Sequence, residues 1–148
     1  AGRVRYTPMF EPGADFFGLD ARIGLKLEFL QHTGSFNPRG ALHRAVTSEV
    51  PASGLIAASG GNHGLAVAWV AQRLGVSGEI FVPEVSPAAK VDKIRKLGAT
   101  VHVTGALYDD FTILPVGFDT TGMIYVPETS TAVMLGLGLL MLARRRRR

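Results

Sequence analysis

Two short stretches hold the residue types that could do chemistry. One is Ser35-Phe36-Asn37-Pro38-Arg39-Gly40 and the other is Ser59-Gly60-Gly61-Asn62-His63-Gly64. The second follows the apolar run Gly54 to Ala58 and precedes the Ala- and Val-rich run Leu65 to Leu74, so it reads as a strand-to-helix turn. Backbone N–H groups at a helix N-terminus favour an anion, here a carboxylate. The glycines let a ligand approach the main chain closely. The same residues also suit a plain βα turn in which Asn62 and His63 cap the helix, and for this stretch alone both readings stand. The first stretch reads as a helix start, with Asn37 at the N-cap and Pro38 at the first helical position. The carboxamide nitrogen of Asn37 is not a nucleophilic amine and does not attack an aldehyde.

The elements that must position these residues alternate between strand and helix. Arg22 to Glu28 alternates like a strand, with Ile23, Leu25 and Leu27 on one face. A helix follows from Asn37, carrying Ala41, Leu42, Ala45 and Val46 at helical spacing. Gly54 to Ala58 and Glu79 to Val82 read as short buried strands, and Thr100 to Thr104 as the last clear strand. Leu65 to Leu74 is a helix closed by Gly75. Pro87 to Leu97 is amphipathic: Val91, Ile94 and Leu97 face inward, Lys90, Lys93, Arg95 and Lys96 outward, and Gly98 closes it. The expected order is β-α-β-α-β-α-β, an α/β three-layer unit of βαβ type with a parallel sheet over residues 3–110. Residues 111–125 contain Pro115, Gly117 and Gly122 without a sustained period and read as a linker.

Composition bounds the function. At 148 residues the chain fits one domain with one core. It has no Cys, which excludes a disulfide framework, a thiolate zinc site and a Cys nucleophile; no metal site is expected. Arg144 to Arg148 supply five of the 16 basic residues, leaving 11 against 12 acidic ones. The basicity is thus a terminal cluster, and nucleic acid is not an expected partner. Arg3 and Arg5 are followed by Tyr6-Thr7-Pro8 and not by an apolar run, so no signal peptide is expected at this end.

The two stretches, in this order and each at a strand-to-helix junction, resemble the threonine/serine dehydratases, pyridoxal-phosphate (PLP) lyases of fold type II. That family reads Ser-Phe-Lys-x-Arg-Gly and then Ser-x-Gly-Asn-His-Gly/Ala. Tyr6-Thr7-Pro8, Val82-Pro83-Glu84, Lys90 and Gly98-Ala99 extend the likeness. The resemblance implies pyridoxal 5'-phosphate as cofactor and β-elimination from serine or threonine to a 2-oxo acid and ammonia as the parent reaction. It puts the family's Schiff-base Lys, covalent anchor and proton carrier, at Asn37. Phe36 would pack near the cofactor and Asn62 matches the residue that hydrogen-bonds its ring hydroxyl. Ser59, Gly60, Gly61, His63 and Gly64 match the loop that holds the substrate carboxylate, so an amino-acid or carboxylate ligand is expected. The family's later Gly-rich phosphate cup has no counterpart here; Gly136 and Gly138 are the only closely spaced late glycines. The chain alone is therefore expected to be inactive, with covalent cofactor binding lost at position 37.

The end of the chain has its own resemblance. Val126-Pro127-Glu128, then Ser/Thr, an apolar run from Ala132 to Ala143 and an Arg cluster beginning Arg144-Arg145 resemble the PEP-CTERM sorting signal, which directs exported proteins to the membrane. The apolar run is shorter than the roughly 17–25 residues that span a bilayer, and the Arg cluster favours a cytoplasmic end. A C-terminal apolar helix with a solvated basic end is the competing reading. The dehydratase resemblance implies the cytoplasm, and an inserted tail implies the inner membrane. A three-layer unit with so few strands is also expected to expose apolar surface and self-associate.

Overall fold

A computed structural model of the chain describes residues 4–13, 16–18, 21–105 and 124–125. Its centre is a parallel sheet of four strands. Leu55–Ala58 (β3), Gly78–Pro83 (β4), Thr100–Thr104 (β5) and Ile124–Tyr125 (β6) lie in the order β5-β4-β3-β6. Before it come two short strands, Met9–Phe10 (β1) and Leu25–Lys26 (β2), paired antiparallel to each other. The helices are Asn37–Thr47 (α1), Asn62–Leu74 (α2) and Ala88–Lys96 (α3). The fold is α/β with a parallel sheet, as the alternation implies. The expected C-terminal apolar helix, with the rest of the tail, lies outside the described residues.

Burial explains the elements. All four β3 residues are buried. α2 is the central helix, buried from His63 through Ala68 and again at Val70 and Ala71. Its apolar residues join Leu55, Ala57, Ile80 and Val82 of the sheet, Ala41, Leu42 and Ala45 of α1, and Val91 and Ile94 of α3 in one core. Such a helix, apolar nearly all round, is stable only when packed on several sides. α2 ends at Gly75, which is left-handed at φ 70°; Val76 N–H donates to Ala71 O at 3.1 Å, closing a Schellman-type cap.

The local structure differs from the expectation in several places. The strand over 22–28 pairs only at Leu25–Lys26, and its partner is β1 instead of the parallel sheet. Beyond Leu27 the chain leaves extended geometry for a 3-10 turn, Glu28–Leu30. Helix α1 has Phe36, not Asn37, as its N-cap, since Asn37 is already helical. Val46 is 42% exposed, outside the core stripe. Helix α2 begins three residues before Leu65, on the Gly61 N-cap, with no side-chain cap. Ile124–Tyr125, at the end of the stretch read as irregular, pairs parallel with β3.

Candidate functional site

The first stretch is held by the N-terminal segment. Gln31, 1% exposed, exchanges two hydrogen bonds with the backbone of Arg5: its Oε1 accepts from Arg5 N–H and its Nε2 donates to Arg5 O, both at 2.9 Å. Arg39, in the first turns of α1, donates from Nε and Nη2 to the two carboxylate oxygens of Glu28. The same guanidinium donates to Thr7 Oγ1 and Arg5 O, each at 3.1 Å. Thr7, also buried, donates its hydroxyl to Glu28. Residues 5–7 are thereby strapped to the helix that opens at position 37. The hydrogen bonds from Arg39 hold the Glu28 carboxyl below its ordinary value against the opposing effect of burial, and Glu28 raises Arg39 in turn.

Between Gln31 and α1 the chain turns sharply. Thr33, a β-branched residue, has φ 64° and Gly34 has φ 75°. Left-handed geometry at Thr is costly and persists only where surrounding contacts dictate it. Two buried hydroxyls in this turn, Thr33 Oγ1 and Ser35 Oγ, have no hydrogen-bond partner among the described residues, which is unusual for buried polar atoms. Phe36 is half-buried and Asn37 is buried at 8% exposure.

The second stretch runs from the C-terminal end of β3 into α2. Ser59 N–H donates to Phe81 O at 2.8 Å, which extends the β3–β4 pairing. Ser59 Oγ accepts from Gly61 N–H at 3.2 Å and folds the turn over. A Cβ on Gly64 would lie 2.0 Å from Ser59 O, so only glycine fits there. Among the described residues, a Cβ on Gly61 would meet nothing nearer than Ser59 Oγ, at 3.5 Å. Ser59 and His63 are buried, Gly60 and Gly61 half-buried, and Asn62 is exposed on the first turn of α2.

Helices α1 and α2 pack directly against each other, so both stretches open neighbouring helices. Pro127, Glu128, Arg144 and Arg145 lie outside the described residues. Among the described lysines, Lys26 donates to Thr7 O and lies 5.0 Å from the Tyr6 ring centre, while Lys90, Lys93 and Lys96 sit on α3. The hydrogen bonds that join Glu28, Arg39 and Thr7, and Gln31 to Arg5, were not read from sequence; the partners lie 11 to 32 positions apart. No group of side chains suited to a metal ion occurs among the described residues.

This arrangement, a Gly-rich turn at the carboxyl end of a parallel strand, has a recognised lineage. Residues 2–139 match the family of pyridoxal-phosphate dependent enzymes. The chain belongs to that family. It is 38% identical over 140 residues to an L-threonine ammonia-lyase of Geobacter sulfurreducens, an alignment covering 92% of this chain and 35% of that one. The solved threonine deaminase isoform 2 of Solanum lycopersicum is 33% identical, with a TM-score of 0.59 over 68% of this chain and 28% of its own. Maize serine racemase is 28% identical, with a TM-score of 0.64 over 70% of this chain and 32% of its own. These likenesses make residues of this PLP-family chain a fold-type II, threonine/serine dehydratase-like part. The chain spans about a third of the length of the curated relatives it matches.

Proposed function

We propose that this chain is a dehydratase-like unit that recognises a small amino acid through its carboxylate and does not itself catalyse β-elimination. The observation that carries this reading is Asn37. It stands at the family's covalent lysine position, buried at the start of α1, and offers a carboxamide where the chemistry needs an amine. The described lysines lie elsewhere: Lys26 is engaged with the Thr7 carbonyl, and the others are on α3. The donor set therefore does not fit covalent PLP, and no step of the parent reaction is assigned to this chain. The parts that serve recognition remain. Gly60, Gly61 and Gly64 shape the turn, Ser59 pins it, and the first N–H groups of α2 supply the partial positive charge that a carboxylate favours. Ser35 Oγ, buried and without a partner among the described residues, adds a donor near position 37.

The test is mass spectrometry of the intact full-length chain after incubation with PLP and borohydride reduction. Unmodified protein is the expected result. A stoichiometric adduct on one lysine would overturn the reading and restore a covalent cofactor site.

A second reading is favoured by the tail sequence. Pro127-Glu128, the apolar run and the Arg cluster support sorting to a membrane, with the α/β unit carried as a scaffold. Release from membranes by high salt alone would exclude an inserted tail, and retention until detergent is added supports it.

A further inference from the structure

At Gly60 of the Gly-rich turn the side-chain space is filled by the turn that follows β4. A Cβ built there would lie 1.9 Å from Ser86 Oγ, 2.8 Å from Ser86 Cβ and 3.3 Å from Pro83 Cδ. Ser86 belongs to the turn that follows β4, closed by its N–H donating to Pro83 O at 2.9 Å. It is half-buried. The turn after β4 thus presses a small polar side chain against the main chain at Gly60. This is the loop whose next residue, Gly61, is the N-cap of α2.

Two facts make the contact more than filling. Ser59 is pinned through Phe81 O on one side and Gly61 N–H on the other. Gly60 lies between these anchors and is held laterally by Ser86. A glycine there has wide conformational freedom unless a neighbour removes it. We infer that Ser86 is a positioning residue for the carboxylate loop: its side chain takes the space that a side chain at position 60 would need, and so holds the Gly60–Gly61 main chain where the first N–H groups of α2 face a small α-amino acid. This rests on the carboxylate reading given above. It predicts that the volume shared by positions 60 and 86 matters, whichever residue supplies it.

The experiment is an amide NMR titration of the full chain with L-threonine, run beside thermal unfolding. For the wild type, the Gly60, Gly61 and Asn62 amide signals are expected to move. Ser86→Gly removes the contact at a turn position that tolerates glycine. Its expected effect is about tenfold weaker binding, the loss typical of a slightly misplaced site, with little change in unfolding temperature. Gly60→Ala alone is expected to destabilise the fold and abolish binding. The double variant Gly60→Ala with Ser86→Gly is expected to recover both, because the new methyl group occupies the vacated volume. Wild-type affinity in Ser86→Gly, or a double variant no better than Gly60→Ala, would overturn the inference while leaving the carboxylate reading in place. Absence of L-threonine binding by the wild type would overturn both.

Discussion

Arg39 grips both carboxylate oxygens of Glu28, from Nε at 2.7 Å and from Nη2 at 2.9 Å. The pair spans the sharp turn at residues 32–36 and ties the N-terminal segment to α1, because the same guanidinium also reaches Thr7 and Arg5. Charge-assisted, two-pronged pairing of this kind orients as well as stabilises. The helix that opens at position 37 is therefore aligned by a contact formed two residues after that position.

Removing this grip has a pH signature. Hydrogen bonding to Arg39 lowers Glu28, so its contribution to stability is fully present above the unfolded value and is lost as pH falls through the lower folded one. Arg39→Ala is expected to cost roughly 1–3 kcal/mol at neutral pH. Glu28→Gln is expected to flatten the acid side of the stability profile below about pH 4.5. Urea unfolding at a series of acid pH values measures both. An acid limb as steep in Glu28→Gln as in the wild type would mean that other carboxylates carry it.

Much of the α/β frame was legible because its signals are local. Val91, Ile94 and Leu97 recur at helical spacing, Gly75 and Gly98 stop the helices, and the runs read as strands at 54–58 and 79–82 match β3 and β4 to within one residue at each end. The stretch 22–28 shows the limit of such signals. Its alternation correctly separates half-buried Ile23, Leu25 and Leu27 from exposed Arg22, Gly24 and Lys26. Alternation reports faces and not partners, so it could not assign the strand to β1 instead of the central sheet. Thr33 at φ 64° leaves no trace in sequence, since Thr rarely adopts that geometry. The contact of Ser86 with Gly60 was equally hidden. It joins two turns 26 positions apart that only the β3–β4 pairing brings together.

His32 stacks on Trp69 with ring centres 4.4 Å apart and planes 18° from parallel. Burial first, then the nearby Arg5 and Arg73 charges, lowers its imidazole below 6.5. The folded state thus resists a proton that the unfolded chain accepts. Stability is expected to be full above about pH 6.5 and to fall as pH drops below it. His32→Phe keeps a stacked ring without the titration and is expected to remove this decline. Trp69 is the single tryptophan, so its fluorescence during urea unfolding at about pH 7.5 and 5.5 reads the difference directly. The same decline in His32→Phe would assign it to another group.

Exposed apolar side chains cluster in the segment before α1. Tyr6 is 94% exposed, Phe29 65% and Phe16 64%, and Met9, Phe10, Phe17 and Leu30 are each above 40%. Single exposed hydrophobes need no explanation, but so many within 25 residues of sequence favour association. Light scattering of the full chain is expected to show concentration-dependent oligomers, and Phe29→Asp with Phe16→Asp is expected to shift them toward monomer. A wild type that remains monomeric at high concentration would remove the expectation.

The most demanding prediction concerns position 37 itself. Asn37→Lys places an amine in a buried site at the N-terminal end of α1. Burial and the positive end of the helix dipole both disfavour the ammonium form, so the lysine is expected to be unusually deprotonated near neutral pH and hence nucleophilic. The same two effects oppose folding, and a loss of about 1–3 kcal/mol is expected from desolvation and overpacking. If the remaining pocket still admits the cofactor, incubation with PLP and borohydride gives one adduct, and peptide mapping assigns it to residue 37. That outcome would mean the chain lost its covalent chemistry through one side chain. A folded Asn37→Lys variant that takes up no PLP would mean that recognition also depends on parts present in the longer relatives and absent from these 148 residues.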